Sequence, residues 1–202
     1  MNSICKVVTS EKRIAISFDD GPSEYTPQIL DILKEHNVQA IFFVVGRKIK
    51  GNESLLKRMH DEGHIIGNHS FSHHFWFDLF STKKMFIELQ KTENAIKDVI
   101  SQKVNFFRPP YGVTNPMLAK AVAKKEYLSI GWSLKVYEKL VNNKMESHIK
   151  RELKFGDIIL FHDTQKNTAD ILKHFIETTN KNTYSIFRLD KLLNKAAYEN
   201  SK

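Results

Sequence analysis

Short apolar segments alternate with longer amphipathic segments along this chain, and no other feature restricts its fold as strongly. The short segments are rich in β-branched and aromatic residues, which is typical of buried strands. Seven segments are predicted as strands: residues 14–18, 40–45, 64–67, 105–107, 128–132, 157–161 and 184–187.

The segments between these strands carry apolar residues at helical spacing, as Met85, Leu89 and Ile96 do in one of them. Seven segments are predicted as helices: residues 26–36, 53–62, 83–100, 116–125, 144–153, 169–178 and 189–197. Alternation of strands and helices predicts an α/β fold with a largely parallel sheet, either a compact barrel or an open wound sheet. In both architectures, active sites lie at the carboxyl ends of the strands. The sequence has no linker or internal repeat, so residues 1–202 are predicted to form a single domain.

The composition excludes several classes of protein. The net charge is +8, but the lysines are scattered through the predicted helices. The sequence has no basic face with interleaved aromatic residues, so no feature beyond the charge predicts nucleic-acid binding. A single cysteine, Cys5, excludes an internal disulfide framework and a zinc site built on several thiolates. There is no secretion signal and no run of about 18 apolar residues that could span a membrane. We therefore expect a cytoplasmic protein, unless an export segment has been removed; the oligomeric state cannot be read from the sequence.

Two adjacent carboxylates follow the first predicted strand. Asp19 and Asp20 come directly after an apolar run, and Gly21-Pro22 then turns the chain away. Like charges this close repel each other, so a metal ion or a basic side chain is expected beside them.

A pair of histidines follows the third predicted strand. His69 and His73 are four residues apart, so a helical turn or a short tight turn would bring the two imidazoles together. Two imidazoles and one carboxylate form a facial triad that suits zinc or another divalent first-row ion. Alone, the pair is also compatible with two partly exposed histidines, and the neighbouring His74 weakens the signal. The carboxylates at another strand end favour the metal site.

Two further segments follow predicted strands. Arg108 precedes two prolines and is a permanent cation able to hold a carboxylate through two hydrogen bonds, although the segment is also compatible with a surface turn. Tyr111 lies in the same rigid segment, which could present a backbone N–H. His162 ends the strand at 157–161 and could act as a general acid near neutral pH, although a lone histidine there is often structural.

The four segments, in this order, resemble the polysaccharide deacetylases that share the NodB homology domain, carbohydrate esterase family four. The resemblance covers about residues 13–163. It implies a distorted (β/α) barrel with about seven parallel strands. It also implies a metal-dependent hydrolase that removes N-acetyl groups from an amino sugar of a chitin-type or peptidoglycan-type glycan.

The resemblance also implies catalytic roles. Asp19 would be the catalytic base, and Arg108 would hold it. His162 would be the acid that protonates the leaving amine. The backbone N–H of Tyr111 would help to bind the oxyanion.

Metal and substrate contacts are implied in the same way. Asp20, His69 and His73 would bind a divalent metal, with zinc as the first choice and Co²⁺ or Ni²⁺ as the next candidates. Leu160 would supply an apolar wall for the acetyl methyl group, and Trp132 and Tyr111 are assigned as further substrate contacts.

One segment departs from the family pattern. An aspartate–tryptophan pair often follows a tryptophan such as Trp132, whereas here the sequence continues to Glu138 and Lys139. Glu138 is assigned in place of the aspartate as a supporting partner of the catalytic residues, and Lys139 stands where an aromatic is expected. This departure supports an alternative function, that of a catalytically silent carbohydrate-binding domain on the same scaffold, although the core chemistry is retained.

Two more functions remain open. A hydrolase of another small amide would keep the metal and the reaction type, while a nucleic-acid-binding protein has only the net charge in its favour. Phe75 and Trp76 could stack on a sugar ring, but we expect them to be ordinary core or loop packing residues.

Overall fold

The computed structural model describes residues 2–136 and 143–199. Its strands are β1 (Arg13–Asp19), β2 (Ile41–Val44), β3 (Ile65–Asn68), β4 (Phe106–Phe107), β5 (Leu128–Ser129), β6 (Leu134–Lys135), β7 (Ile158–His162) and β8 (Ser185–Ile186). Its helices are α1 (Thr26–Glu35), α2 (Glu53–Asp61), α3 (Thr82–Ile100), α4 (Pro116–Lys124), α5 (Asn143–Glu152), α6 (Thr168–Lys181) and α7 (Leu189–Leu193).

The strands form one curled, parallel sheet. Seven of them follow the order β5-β4-β3-β2-β1-β7-β6, and β8 pairs with the start of β1. Each named strand pair is parallel. The parallel sheet confirms the prediction from the alternating pattern, and its curled half-barrel form agrees with the distorted barrel that the family resemblance implies.

The sheet is buried on both faces, which explains why its strands are continuous apolar runs. Along β1, Ile14, Ile16 and Phe18 pack into a large cluster with the helices. The intervening Ala15 belongs to a second cluster on the other face, which also contains Phe43 of β2. Successive side chains therefore alternate between two cores, as the strand period of two requires.

The sequence prediction differs from the structure near residue 130. The predicted strand 128–132 ends at Ser129, and the chain continues to β6 at the opposite end of the strand order. At the break, Ile4 donates a backbone hydrogen bond to Ser129, and Gly131 donates one to Ile4. A side chain on Gly131 would come within 2.5 Å of the Cys5 sulfur. The N-terminal segment therefore packs where a longer β5 was expected.

The last predicted helix is also shorter than expected. Helix α7 ends at Leu193 because Asn194 adopts a left-handed conformation with φ of 52°. The part of the chain that the structure describes has no helix long and apolar enough to cross a membrane.

The parallel sheet places four chemically active segments at one end of the molecule. Strand β1 ends at Asp19, β3 ends one residue before His69, β4 ends one residue before Arg108, and β7 ends at His162. Because parallel strands share one carboxyl edge, residues distant in sequence meet there.

Candidate active site

Three side chains converge on one point at the carboxyl edge of the sheet. Nε2 of His73 lies 3.2 Å from Oδ1 of Asp20, and Nε2 of His69 lies 3.5 Å from the same oxygen. Potential ligand atoms of all three residues lie within 4.8 Å of one another. Two imidazoles and a carboxylate are therefore close enough together to hold one metal ion.

A hydrogen bond to a backbone carbonyl fixes the orientation of the His69 ring. Its Nδ1 lies 2.8 Å from the carbonyl oxygen of Arg108, so Nδ1 carries the hydrogen and Nε2 is left as the ligand atom. Protein ligands of zinc commonly have such a second hydrogen bond, which fixes both tautomer and orientation. The donor types and this orientation fit a divalent first-row metal ion.

A tight turn, rather than a helix, brings the two histidines together. The backbone N–H of Ser70 donates to Oδ1 of Asn68, and the N–H of His73 donates to Oγ of Ser70. This turn is compact enough that the centroids of the His69 and His73 rings are 4.8 Å apart.

Four non-glycine residues at the site have left-handed backbone conformations: Asp20, Ser70, His73 and Tyr111, with φ of 77°, 65°, 46° and 57°. This conformation is uncommon for residues that carry a side chain, and it concentrates at functional sites. No residue pattern in the sequence indicates these conformations, since the surrounding contacts impose them.

Asp19 lies beside the metal-ligand set and is held by a buried arginine. Nη1 of Arg108 donates to Oδ1 of Asp19 at 2.8 Å and to Oγ of Ser17 at 2.8 Å. The remaining nitrogens of Arg108 donate to the carbonyl oxygens of Ile130 and Gly131. The expected two-bond grip on the carboxylate is therefore wrong: one bond reaches Asp19, because backbone carbonyls occupy the rest of the guanidinium.

Aromatic rings enclose the same guanidinium. The Arg108 guanidinium carbon lies 4.2 Å from the centroid of the Phe43 ring and 5.7 Å from that of Trp132. Burial lowers the pKa of Arg108 from its usual value, although the Asp19 carboxylate opposes that shift. Arg108 nevertheless remains a cation, because an arginine guanidinium is not deprotonated in proteins.

His162 lies next to Asp19 in the sheet. The two residues are register partners in the β1–β7 pair, so the structure brings His162 to the strand end that the sequence predicted. Burial lowers the pKa of His162 below its usual 6.5, and Lys135 adds to this effect, while Asp19 and Asp20 oppose it.

The carboxylates and imidazoles also shift one another's pKa values. Burial alone would raise the pKa of Asp20, but hydrogen bonding to His69 and the positive potential of His69, His73 and His162 hold it well below its usual range. Burial would lower the pKa of His69, but Asp19 and Asp20 raise it overall. The pKa of His73 is lowered by burial and by His69. This polarised arrangement keeps Asp20 ionised and available to a cation.

A cavity of about 280 Å³ opens over these residues. Its lining consists of Asp19, Asp20, His69, His73, Tyr111, Trp132, Lys135, Leu160 and His162. The structure thus brings together the predicted base, acid, metal ligands and substrate contacts. Arg108 lies directly beneath, bonded to Asp19.

Two residues of the site were not singled out from the sequence. Lys135 lines the cavity from β6, a strand too short to predict. Asp163 is buried behind the site, where it accepts a hydrogen bond from Thr26, and burial raises its pKa to about 7. A side chain on Gly21 would collide with the Asp163 carboxylate, at 1.9 Å, which explains the glycine after Asp20. In the sequence, the position of Asp163 directly after His162 is the signal that could have identified it as part of the site.

Three other sequence assignments have different outcomes. Glu138 and Lys139 lie outside the described residues. Phe75 and Trp76 were expected to be packing residues, but these residues are 67% and 56% exposed, so that expectation is wrong. Tyr111 is also exposed, and a side chain on the following Gly112 would come within 2.6 Å of the Trp132 ring.

Comparison with known proteins identifies relatives of this chain. The family model for polysaccharide deacetylase matches residues 6–130. The peptidoglycan-N-acetylmuramic acid deacetylase PdaA of Bacillus subtilis is 33% identical over 192 residues, which cover 92% of this chain and 73% of PdaA.

Solved structures of deacetylases and of a related pseudoenzyme have the same fold as this chain. The Bc1960 peptidoglycan N-acetylglucosamine deacetylase superposes with a TM-score of 0.89 at 27% identity, covering 98% of this chain and 95% of that one. A mutant of BA3943, described as a pseudoenzyme of carbohydrate esterase family 4 with restored activity, superposes with a TM-score of 0.83 at 28% identity. The match covers 95% of this chain and 71% of that one.

Proposed function

This chain belongs to the polysaccharide deacetylase family, and on that premise we propose that it removes acetyl groups from N-acetylated amino sugars of a peptidoglycan-type glycan. The observation that carries the proposal is one cavity that holds the Asp20–His69–His73 set, the Asp19–Arg108 pair and His162. The peptidoglycan substrates of PdaA and Bc1960 support the choice of glycan. Chitin-type oligosaccharides are the second substrate to test.

Asp20, His69 and His73 would hold the divalent cation, and Zn²⁺ is the ion we propose. Nitrogen and oxygen ligands around an open position are typical of catalytic zinc. When bound, such an ion supplies Lewis acidity to the acetamide carbonyl and to the attacking water.

Asp19 would accept the proton of the attacking water. Its carboxylate lies 3.7 Å from Nε2 of His69 through one oxygen and is bonded to Arg108 through the other. The second contact restricts rotation of the carboxylate and leaves Oδ2 on the side of His69. A positioned carboxylate that accepts a proton in the transition state is a general base.

His162 would donate a proton to the leaving nitrogen. An amine anion is a poor leaving group, so amide cleavage requires this proton. The lowered pKa of His162 makes its protonated form a stronger acid, and the neighbouring carboxylates limit the loss of that form. The base and the acid lie on neighbouring strands, which allows one to act on the water and the other on the nitrogen.

The remaining walls would orient the acetamide. Leu160 and Trp132 line the cavity next to the polar groups and offer apolar contact to the acetyl methyl. The backbone N–H of Tyr111 is proposed to bind the oxyanion, and loss of one such donor typically costs about 10²–10³ in turnover.

The decisive experiment combines metal content with acetate release. Wild-type protein, Asp20→Ala and His73→Ala are assayed on peptidoglycan fragments and chitin oligosaccharides with Zn²⁺, Co²⁺ or Ni²⁺. His74→Ala is the matched control, because it removes an exposed histidine beside the set. We expect wild type and the control to bind one ion and release acetate, and the two site variants to lose both properties.

Different results would select a different function. Retention of bound metal and activity by Asp20→Ala and His73→Ala would refute the assigned ligands. Wild-type protein that binds glycan without releasing acetate would be a silent carbohydrate-binding domain. Release of a product from small amides but not from acetylated sugars would indicate a hydrolase of another substrate.

A further inference from the structure

Asp163 is a buried carboxyl group that has no part in the reaction proposed above. It directly follows His162, the last residue of β7, and it is 1% exposed. Its Oδ2 accepts a hydrogen bond from Oγ1 of Thr26 at 2.7 Å, whereas its Oδ1 has no hydrogen-bond partner among the described residues. A polar group is costly to bury when it is only partly bonded, so its presence here requires a reason in the surrounding structure.

The hydrogen bonds that the structure describes for Asp163 all reach the chain between the end of β1 and the start of α1. Its backbone N–H donates to the carbonyl oxygen of Asp19 at 3.3 Å, and its carbonyl oxygen accepts from Oγ of Ser23. Thr26, which bonds Oδ2, is the first residue of α1, and its Oγ1 also accepts from the backbone N–H of Ser23 at 2.8 Å. Asp163 therefore holds the turn between β1 and α1 at three points.

This turn carries Asp20, one of the three proposed metal ligands. The carbonyl oxygen of Asp20 accepts from Nζ of Lys48 at 2.7 Å. The following residue, Gly21, packs so closely on the Asp163 carboxyl group that a Cβ atom there would lie 1.9 Å from Oδ2. Asp20 itself has a left-handed backbone with φ of 77°, a conformation that only the surrounding contacts can hold in place. The Asp163 side chain is thus one of the contacts that fix the path of the chain directly after the ligand.

The distances between metal and ligand atoms in proteins vary by only about 0.2 Å, so a small displacement of one ligand weakens binding. We propose that Asp163 is a positioning residue, whose side chain fixes the turn that carries Asp20 and thereby sets the affinity of the Asp20–His69–His73 set for its metal ion. This role rests on the proposed function, since it requires that the set binds a divalent cation. Asp163 is not among the residues that line the cavity, so it acts through Asp20 and not on the substrate.

The shape of the side chain and its one bonded oxygen are what this role requires. Burial raises the pKa of Asp163 to about 7, while Thr26 and Lys48 oppose the shift, so the neutral acid is well populated near neutral pH. Asparagine has the same shape, and its amide oxygen can accept the hydrogen bond of Thr26. Asp163→Asn should therefore keep the turn in place, whereas Asp163→Ala removes both the bonded oxygen and the contact with Gly21.

The test measures the Kd for Zn²⁺ by competition with a chromogenic chelator, and the free energy of unfolding in EDTA. We expect the Kd of Asp163→Ala to rise about tenfold, at the lower end of the roughly 10–100-fold that loss of a ligand's supporting contact typically costs, because Lys48 still holds Asp20. Asp163→Asn should stay within about threefold of wild type, since it keeps the acceptor. Asp157→Ala is the matched control: this aspartate is also buried but lies at the opposite end of β7, so it should change stability and leave the Kd unaltered.

A second pair of variants removes the same hydrogen bond from its other end. Thr26→Val should also raise the Kd, and Thr26→Ser, which keeps the hydroxyl, should restore the wild-type value. If Asp163→Ala does not fold, this pair decides, and equal Kd values for Thr26→Val and wild type would overturn the positioning role. A Kd of folded Asp163→Ala that matches wild type would overturn it too. Equal weakening in Asp163→Asn and Asp163→Ala would do the same, because charge and not shape would then be required.

Acetate release from acetylated glycan separates this role from the proposed function. A Kd that rises in Asp163→Ala and recovers in Asp163→Asn, with no acetate release by wild type, would support the positioning role and reject the deacetylase function. Acetate release by wild type with equal Kd values in all variants would reject the positioning role and leave the function standing. Wild-type protein that binds no Zn²⁺ would overturn the positioning role together with the assigned ligands.

Discussion

At the level of single residues, Arg108 contributes both to the stability of the site and to the placement of the proposed catalytic base. Its guanidinium is fully buried and donates to four acceptors, which are side chains of β1 and two backbone carbonyls. Lysine is not equivalent, because its ammonium has three donors and cannot reproduce the planar fork. In Arg108→Lys, at least one buried acceptor therefore loses its partner.

We expect Arg108→Lys to lower the free energy of unfolding by about 1–3 kcal/mol, the usual cost of a buried unpaired group. Activity should fall by about 10²-fold, since a displacement of 1 Å at a catalytic group can have that effect. Urea unfolding and acetate release measure the two quantities. Arg151→Lys, at an exposed position, is the control and should change neither. An active, equally stable Arg108→Lys protein would contradict the role of the fork.

His64 provides a prediction on pH. It is buried directly before β3, and its Nδ1 accepts a hydrogen bond from the backbone N–H of Ala40. Burial lowers the pKa of His64 from 6.5 to about 4, while Glu62 opposes the shift and Arg58 adds to it. The folded protein therefore keeps His64 neutral at pH values where the unfolded chain already binds a proton.

Protonation of His64 in the unfolded chain lowers the free energy of unfolding. This free energy is therefore unaffected by His64 above pH 6.5 and decreases as the pH falls from 6.5 towards 4. The loss should approach about 3 kcal/mol at the acid end, at 1.36 kcal/mol per pKa unit. His64→Gln should remove this dependence, whereas His60→Gln, at a half-buried position, should retain it. The free energy of unfolding by urea at several pH values between 4 and 8 gives the comparison; equal slopes for the two variants would contradict the assignment.

At the level of elements, a buried polar network joins α3 to the segment between α4 and β5 and to the turn that holds His69 and His73. Nζ of Lys125 donates to Oε1 of Glu93 at 2.5 Å, and the hydroxyl of Tyr127 donates to Oε2 of Glu93 at 2.6 Å. Asn68 then donates to the Tyr127 hydroxyl and accepts from the backbone of the turn that holds His69. Packing of helix against sheet is thus connected to the placement of a proposed metal ligand.

A double-mutant cycle tests this network. Lys125→Met alone leaves the Glu93 carboxylate buried without its ammonium and should cost about 3–5 kcal/mol of unfolding free energy. Adding Glu93→Gln removes that charge, so the double variant should be more stable than Lys125→Met alone. Urea unfolding of the four proteins gives the coupling energy. Simple additivity of the two changes would show that the charges do not interact.

The sequence predicts some elements well and others poorly for identifiable reasons. Strands β1, β2 and β7 are long apolar runs with both faces buried, so composition alone predicts them. Strand β6 has two half-buried residues, and its pairing with β7 depends on contacts made across the sheet. The same limit applies to the left-handed conformations of the site, because the packing around them, and not local propensity, selects them.

The composition of the site was predictable because the sheet is parallel. Asp19 and His162 end their strands and His69 and Arg108 directly follow theirs, and parallel strands bring their carboxyl ends together. The partners of Arg108 were not predictable in detail, since two of its acceptors are carbonyls of the segment that departs from β5. The exposure of Phe75 and Trp76 was missed because a run of aromatic residues usually indicates a core.

At the level of the whole molecule, metal binding should stabilise the fold, because the three proposed ligands come from two distant segments of the chain. Asp20 follows β1, and His69 and His73 follow β3, so an unfolded chain cannot hold them around one ion. A ligand that binds only the folded state adds about 2.7 kcal/mol at a concentration of 100 Kd. For a domain of this size, each kcal/mol raises Tm by about 2–4 °C.

We therefore expect saturating Zn²⁺ to raise the Tm of wild type by about 5–10 °C relative to protein in EDTA, as those two constants together imply. His73→Ala should lose most of this increase, because two ligands hold the ion more weakly than three. His74→Ala should keep it, since that exposed imidazole does not belong to the set. Differential scanning calorimetry on the three proteins makes the measurement. An increase of equal size in His73→Ala and wild type would place the ion elsewhere, because stabilisation by mass action requires the residues that bind it.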